Sequence, residues 1–183
     1  DRSITQAEAA TILIRVLGYS SQQAGAVWPQ SYMNLAESIG LSDGLPGDYN
    51  GNLTRGQAAQ LFVNALSCKN GEGSRYYTTL GKAQEDTIIL AVNVETDDGT
   101  SDGAIRTTAN KESEAYLPAE GEGNPYALQG KRGALVLNDK DEIVTFVPDD
   151  SSATTIVLSG DAQPSYVKAS GGSQYTMSKD TLL

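Results

Sequence analysis

Arg55 follows Thr54 directly and stands two positions before Gln57. In a Thr-x-x-Gln box the threonine hydroxyl accepts a first-turn N–H and the amide reaches back, so this arginine falls at the opening of a helix. A cation there faces the positive end of the helix dipole, at a cost of about 0.3–1 kcal/mol. The placement makes sense if an anion sits where the guanidinium and the free N–H groups converge. The other reading is a solvated arginine whose stem packs on Tyr49 or a neighbouring element. Glu112, Glu114, Glu120 and Glu122 could supply the paired carboxylates of a glycosidase. They lie in KESEAYLPAEGEG, a polar stretch with no apolar pocket to tune a pKa, and a solvated loop is the expectation. DGTSDG, residues 98–103, has the spacing that opens a calcium loop. Ala109 stands where the bidentate acid belongs, so a glycine-rich turn is expected instead. Tyr76, Tyr77, Tyr116, Tyr126, Tyr166 and Tyr175 could stack on sugar rings. Tyr is equally an ordinary half-buried strand residue, and core roles are expected for most of them.

Composition removes other chemistries. The 183 residues include no His, which excludes a His triad, base or metal ligand. Cys68 is the one cysteine, without a partner for a disulfide or a thiolate metal site, and reads as a small buried apolar group. The net charge of −10 argues against nucleic acid, which requires a basic face. The charge is uneven: residues 1–70 hold four of the 13 Lys/Arg and five of the 23 Asp/Glu, net −1, which leaves net −9 for residues 71–183. No apolar run approaches the roughly 20 residues of a membrane span. The chain starts at Asp1 without Met and reads as an excerpt or a processed product. No cofactor or metal is expected.

Helical spacing dominates the first third. Ala9, Ile12, Leu13, Val16 and Leu17 recur at i, i+3, i+4, i+7 and i+8, as do Ala58, Leu61, Phe62, Ala65 and Leu66. Both stretches open with a capping box, Thr5 with Glu8 and Thr54 with Gln57, 49 positions apart. ITQAEAATILIRVL and LTRGQAAQLFVNAL are therefore two copies of one unit. Between them Trp28, Tyr32, Leu35, Ala36 and Ile39 share a face of a third helix, with Pro29 suited to its first turn and Gly40 to its stop. LSDGLPGDYNGN, residues 41–52, is loop.

These residues resemble the S-layer homology (SLH) repeat of bacterial cell-surface proteins, over residues 4–67. The resemblance rests on Trp28, on Ala36 and Gly40-Leu41, on the loop GLPGDYNGN, and on LTRGQAA where the family has ITRAEAA. It implies repeats that come in threes, form a three-pronged pseudo-trimer, and anchor a protein by binding anionic secondary cell-wall polysaccharide. It also implies that Arg55 contacts that ligand. Gln6 stands at the equivalent place of the first copy, and Gly56-Gln57 replaces the family's Ala-Glu.

The remainder reads as a linker, 71–86, and an acidic β-rich module, 87–183. Thr87 to Val94 is apolar enough for a strand buried on both faces, and Ala134–Leu137 with Ile143–Val147 brackets a polar turn. Thr154–Leu158, Ser165–Lys168 and Gln174–Met177 read as further strands of a small barrel or sandwich. The expected architecture is α+β: an SLH-type helical region, 1–70, followed by a separate all-β module. The expected function is non-enzymatic anchoring at an extracellular bacterial surface, through a site of Arg55, Thr54, Gln57, Trp28 and Asp48. Two alternatives stand beside it. In one, the repeats serve only packing or self-association; in the other, the chain is a non-catalytic part of a larger surface hydrolase.

Overall fold

Both capping boxes form. In a computed structural model that describes residues 3–101, 103–108, 113–119, 125–149 and 156–177, Thr5 caps helix α1 (Gln6–Val16) and Thr54 caps α4 (Arg55–Ser67). Between them lie a short helix α2 (Ser21–Ala24) and α3 (Gln30–Ser38). Gly18 and Gly40 end α1 and α3 at φ of 80° and 79°. Tyr19 N–H reaches back to Ile14 O and Leu41 N–H to Ala36 O, which closes each helix as a Schellman turn.

The buried stripes differ from the expected ones. α1 buries Ala7, Ala10, Leu13, Ile14 and Leu17, whereas Ile12 and Val16 are more than half exposed. Apolar residues occupy two adjacent stripes of this helix. The stripe that carries Ala7 and Ala10 wins, because two small side chains let α3 approach closely with Tyr32, Met33 and Ala36. On α4, Leu61 and Ala65 are buried but Phe62 and Val63 are not. Trp28 is not in the core either: it is 53% exposed, because α3 begins after Pro29 and Trp28 precedes the helix.

Five strands follow in one antiparallel sheet, order β3-β2-β1-β4-β5: β1 (Lys82–Val94), β2 (Ala104–Thr107), β3 (Glu114–Tyr116), β4 (Arg132–Leu137) and β5 (Ile143–Pro148). The first half of β1 pairs with β4 and the second with β2, with bulges in both ladders. Asp86 and Asn93, in the left-handed region at φ of 58° and 52°, bend the strand there. The sheet curls until the segment after β3 meets β5. Ile143 N–H donates to Leu117 O and Ala119 N–H donates to Ile143 O, each at 2.8 Å. The result is nearer to a small barrel than to a sandwich. β6 (Tyr166–Lys168) and β7 (Gln174–Thr176) form a separate hairpin, and Leu158 bridges to Ala169 beside it. Residues 154–155 of the strand expected at 154–158 lie outside the described residues.

The strand buried on both faces is β4 rather than β1. In β1 only Thr87 and Ile89 are buried, and Leu90 is exposed. In β4, Leu135 and Leu137 point into the barrel with Ile89, Ile105, Ile143 and Phe146. Its alternate residues Ala134 and Val136 face outward, against Val147, Tyr77 and Leu66. Leu66 belongs to α4, so the helical part covers one outer face of the sheet. The stretch expected as linker, 71–86, carries a 3₁₀ turn (Tyr76–Thr79) and the start of β1. It also crosses the end of α1, where Gly71 N–H donates to Leu17 O at 2.8 Å. A Cβ at Gly71 would lie 2.4 Å from Gly18 O, so only glycine fits that crossing.

Candidate functional site

The loop at 47–52 decides the environment of each helix start. Asp48 turns this loop, its Oδ1 accepting from the N–H groups of Asn50 and Gly51 at 3.2 and 3.1 Å. Thr5 then pairs with Asn52 in an isolated bridge, and Leu53 N–H donates to Ile4 O. With the loop so placed, Tyr49 O accepts from Ala7 N–H at 3.0 Å and Gly51 O from Gln6 N–H at 3.1 Å. These are the first-turn donors of α1, and Gln6 is only 3% exposed beneath the loop.

Shifted by 49 positions, Gln6 becomes Arg55 and Ala7 becomes Gly56. At α4 no loop arrives from among the described residues. Thr54 Oγ1 accepts from Gln57 N–H at 3.2 Å, and Thr54 N–H donates to Gln57 Oε1 at 2.8 Å. The N–H groups of Arg55 and Gly56 have no acceptor among the described residues. Arg55 itself is exposed and has neither an ion-pair nor a hydrogen-bond partner among them. The two copies thus present the same position of the same unit in opposite environments, one buried under a loop, one open and cationic.

Of the five expected ligand residues, the structure brings together Thr54, Arg55 and Gln57. Asp48 is occupied by its own turn and has no bond to Arg55. Trp28 lies elsewhere: its indole N–H donates to Thr11 Oγ1 at 3.1 Å, and it lines a shallow groove with Ile4, Glu8, Thr11 and Ile12. That groove belongs to the first copy, and neither Arg55 nor Asp48 contributes to it. Glu8 spends its carboxylate on Thr5 N–H and the Thr5 hydroxyl.

The other candidate chemistries resolve into local structure where they are described. Asp98 Oδ1 accepts from the Thr96 hydroxyl and from the N–H and hydroxyl of Thr100, which ties the turn between β1 and β2. These hydrogen bonds, the Thr100 hydroxyl first, hold its carboxyl below the usual carboxylate range. Arg106, 2.8 Å away, does the same for Asp97. Asp102 and Ala109 of the calcium reading lie outside the described residues, as do Glu112, Glu120 and Glu122. Glu114 hydrogen-bonds the Tyr116 hydroxyl, whose pKa is pushed up to about 12, by burial first and then by that bond.

The tyrosines form no common platform. Tyr77 is buried with its hydroxyl on Glu85, Tyr76 packs on the helical core, and Tyr126 is exposed beside Asn93. Tyr166 and Tyr175 sit on the β6–β7 hairpin. Among the described residues no group of three or more His, Cys, Asp or Glu is placed to hold a metal ion. No helix among them is long and apolar enough to cross a membrane.

Sequence reasoning missed two features. One is the cleft of about 300 Å³ at the junction of helices and sheet, lined by Ser67, Arg75, Tyr77, Glu85, Arg132 and Asp149 among others. Its cations are engaged, Arg75 with the last-turn carbonyl of Ser67 and Arg132 with Asp86 at 2.7 Å, so it reads as a polar seam. The other is a groove of about 400 Å³ between α1 and α4, lined by Ile12, Val16, Phe62, Val63, Leu66 and Tyr76 among others. Its signal was present in the sequence as the second apolar stripe of each helix. No protein-family model, curated protein or solved structure matches the chain.

Proposed function

We propose that this chain is a wall-anchoring segment of an extracellular bacterial surface protein. Its SLH-like helical unit holds anionic secondary cell-wall polysaccharide without covalent chemistry. The anion is received at the start of α4, by the Arg55 guanidinium and the N–H groups of Arg55 and Gly56, with Thr54 and Gln57 shaping the turn that presents them. The mechanism is binding rather than turnover. One observation carries the reading: among the described residues, Arg55 is exposed without a counterion at a helix start whose first two donors are open, while the same position of the other copy is a buried glutamine under a loop. A cation that faces a helix dipole is unfavourable by itself and becomes favourable when an anion completes the site. Trp28, exposed in its own groove, offers an aromatic face to a neighbouring sugar of the same polymer.

The near-neutral balance of residues 1–70 lets a polyanion approach a chain that is acidic elsewhere. Exposed charges are screened within about 10 Å at 0.1 M salt, so binding weakens as salt rises. The test is sedimentation of the chain with purified bacterial wall sacculi at low and high salt, beside Arg55→Ala. Binding that is lost in the variant and weakened by salt is the expected result. Binding indifferent to both would overturn the assignment of the site.

A further inference from the structure

The polar seam between helices and sheet is not filled by its own contacts. It encloses about 300 Å³, at the lower end of the roughly 300–1,000 Å³ of small-molecule sites, which occur preferentially where two units meet. Its floor is apolar. Ala134 and Val147, cross-strand partners of β4 and β5, are buried in one cluster with the Tyr77 ring.

Above that floor the charges gather around the Tyr77 hydroxyl, which donates to Glu85 Oε1 at 2.5 Å. Burial first, and then this bond, push the hydroxyl up to about 12, so it stays a donor. Asp149 acts on it in the same direction and Arg75 in the opposite one, so both charges reach the same group. Arg132 and Asp86 satisfy each other at 2.7 Å. Arg75 differs. One of the five N–H groups of its guanidinium goes to Ser67 O. Among the described residues it has no ion-pair partner, although Glu85 and Asp149 line the same cleft. The segment after α4 thus brings a cation, and the sheet brings two carboxylates that leave it unpaired.

We infer that this seam binds a small zwitterion, a carboxylate and an ammonium on a short aliphatic frame, as in a free amino acid or a dipeptide. The ligand carboxylate meets the Arg75 fork, whose geometry suits two parallel hydrogen bonds. The ammonium faces Glu85 and Asp149, and the aliphatic frame covers Ala134 and Val147. A simple anion would meet the two carboxylates and a simple cation the guanidinium, so opposite charges on one molecule are selected. The inference is independent of the anion site at α4.

Calorimetric titration of the full chain with alanine, alanyl-alanine, N-acetylalanine and alaninamide tests it. The better of the two zwitterions should bind at least about tenfold more tightly than either singly charged analogue, the size of one hydrogen bond between charged groups. Which zwitterion binds more tightly tells a free amino acid from a dipeptide. Glu85→Gln keeps an acceptor for Tyr77 and removes one negative charge, so it should weaken zwitterion binding and strengthen that of N-acetylalanine. Arg75→Gln should weaken both and spare alaninamide. Loss of folding would weaken all four probes alike, so these opposite responses read the site itself. No saturable heat from either zwitterion in the millimolar range overturns the inference. So does alaninamide bound as tightly as alanine, or an unchanged preference in Glu85→Gln.

Discussion

Gln6→Arg and Arg55→Gln exchange the residues of the two copies, and their effects on stability should be very unequal. Gln6 is 3% exposed, beneath carbonyls that take its own N–H and that of Ala7. An arginine there has two outcomes. If it stays buried, an uncompensated charge costs several kcal/mol. If it pushes the loop aside, two backbone hydrogen bonds of about 0.5–1.5 kcal/mol each are lost, and the floor is about 1–3 kcal/mol. Arg55→Gln removes an exposed cation, unpaired among the described residues, from the positive end of a helix, so it should be neutral or stabilising by about 0.3–1 kcal/mol at low salt. Trp28 is the one tryptophan and lies in the helical part, so urea unfolding followed by its fluorescence reports on the relevant unit. The expected thermal counterpart is a loss of at least about 2–4 °C for Gln6→Arg in a chain of this size. Equal effects of the two substitutions, or a Gln6→Arg chain within about 0.5 kcal/mol of wild type, would refute the opposite environments on which the site assignment depends.

Thr5→Ala should cost more than Thr54→Ala, around a central value of about 1 kcal/mol for a lost cap. The first box is part-buried and uses a charged Glu8, whereas the second is exposed and uses neutral Gln57; urea midpoints in the opposite order would contradict this. Burial pushes the Cys68 thiol up to about 11 from 9.0, with Asp43 adding to it. The folded chain keeps that proton in a window where the unfolded chain has lost it. Stability is therefore full below pH 9 and falls as pH rises toward 11. Cys68→Ala should flatten that decline in pH-dependent urea midpoints, and the native thiol should resist a thiol reagent at pH 8.

How legible this fold was in the sequence depends on how many neighbours set each feature. Capping boxes involve residues three apart, and both were readable at Thr5 and Thr54. Gly40 as a helix stop and the turn between β4 and β5 are equally local, and both formed. The buried stripe of α1 was not local. Ile12 with Val16 and Ala7 with Ala10 offered competing faces, and α3 chose between them by approaching the small residues. Periodicity cannot see that choice, nor could it place Trp28, which stands just before a helix and not on it. The double burial of β4, assigned to β1 from its run of Ile, Val and Leu, required knowing that α4 covers one outer face of the sheet. Within the candidate site, Arg55, Thr54 and Gln57 were found because they share one turn. Asp48 and Trp28 were grouped with them from the resemblance, and tertiary structure sends them elsewhere.

The unequal fate of the two copies follows from where α4 ends. Its last turn is fixed: Arg75 donates to Ser67 O, Cys68 Sγ–H donates to Ile39 O at 3.2 Å, and Leu66 packs against Tyr77 and Val136 at the sheet. After Ser67 the chain turns back over the end of α1 and enters β1, so it does not run on into another helix and loop. α1, by contrast, is followed by the segment that folds back to cover it. Two stretches of the same helical pattern therefore receive different environments because the chain after each copy goes to a different place. The last turn of α4 is used in joining helices to sheet, whereas Arg55 at its start and Phe62 and Val63 further along stay exposed. Substitutions at Leu61, Ala65 or Leu66 should thus be read in stability, and those at Arg55 in binding.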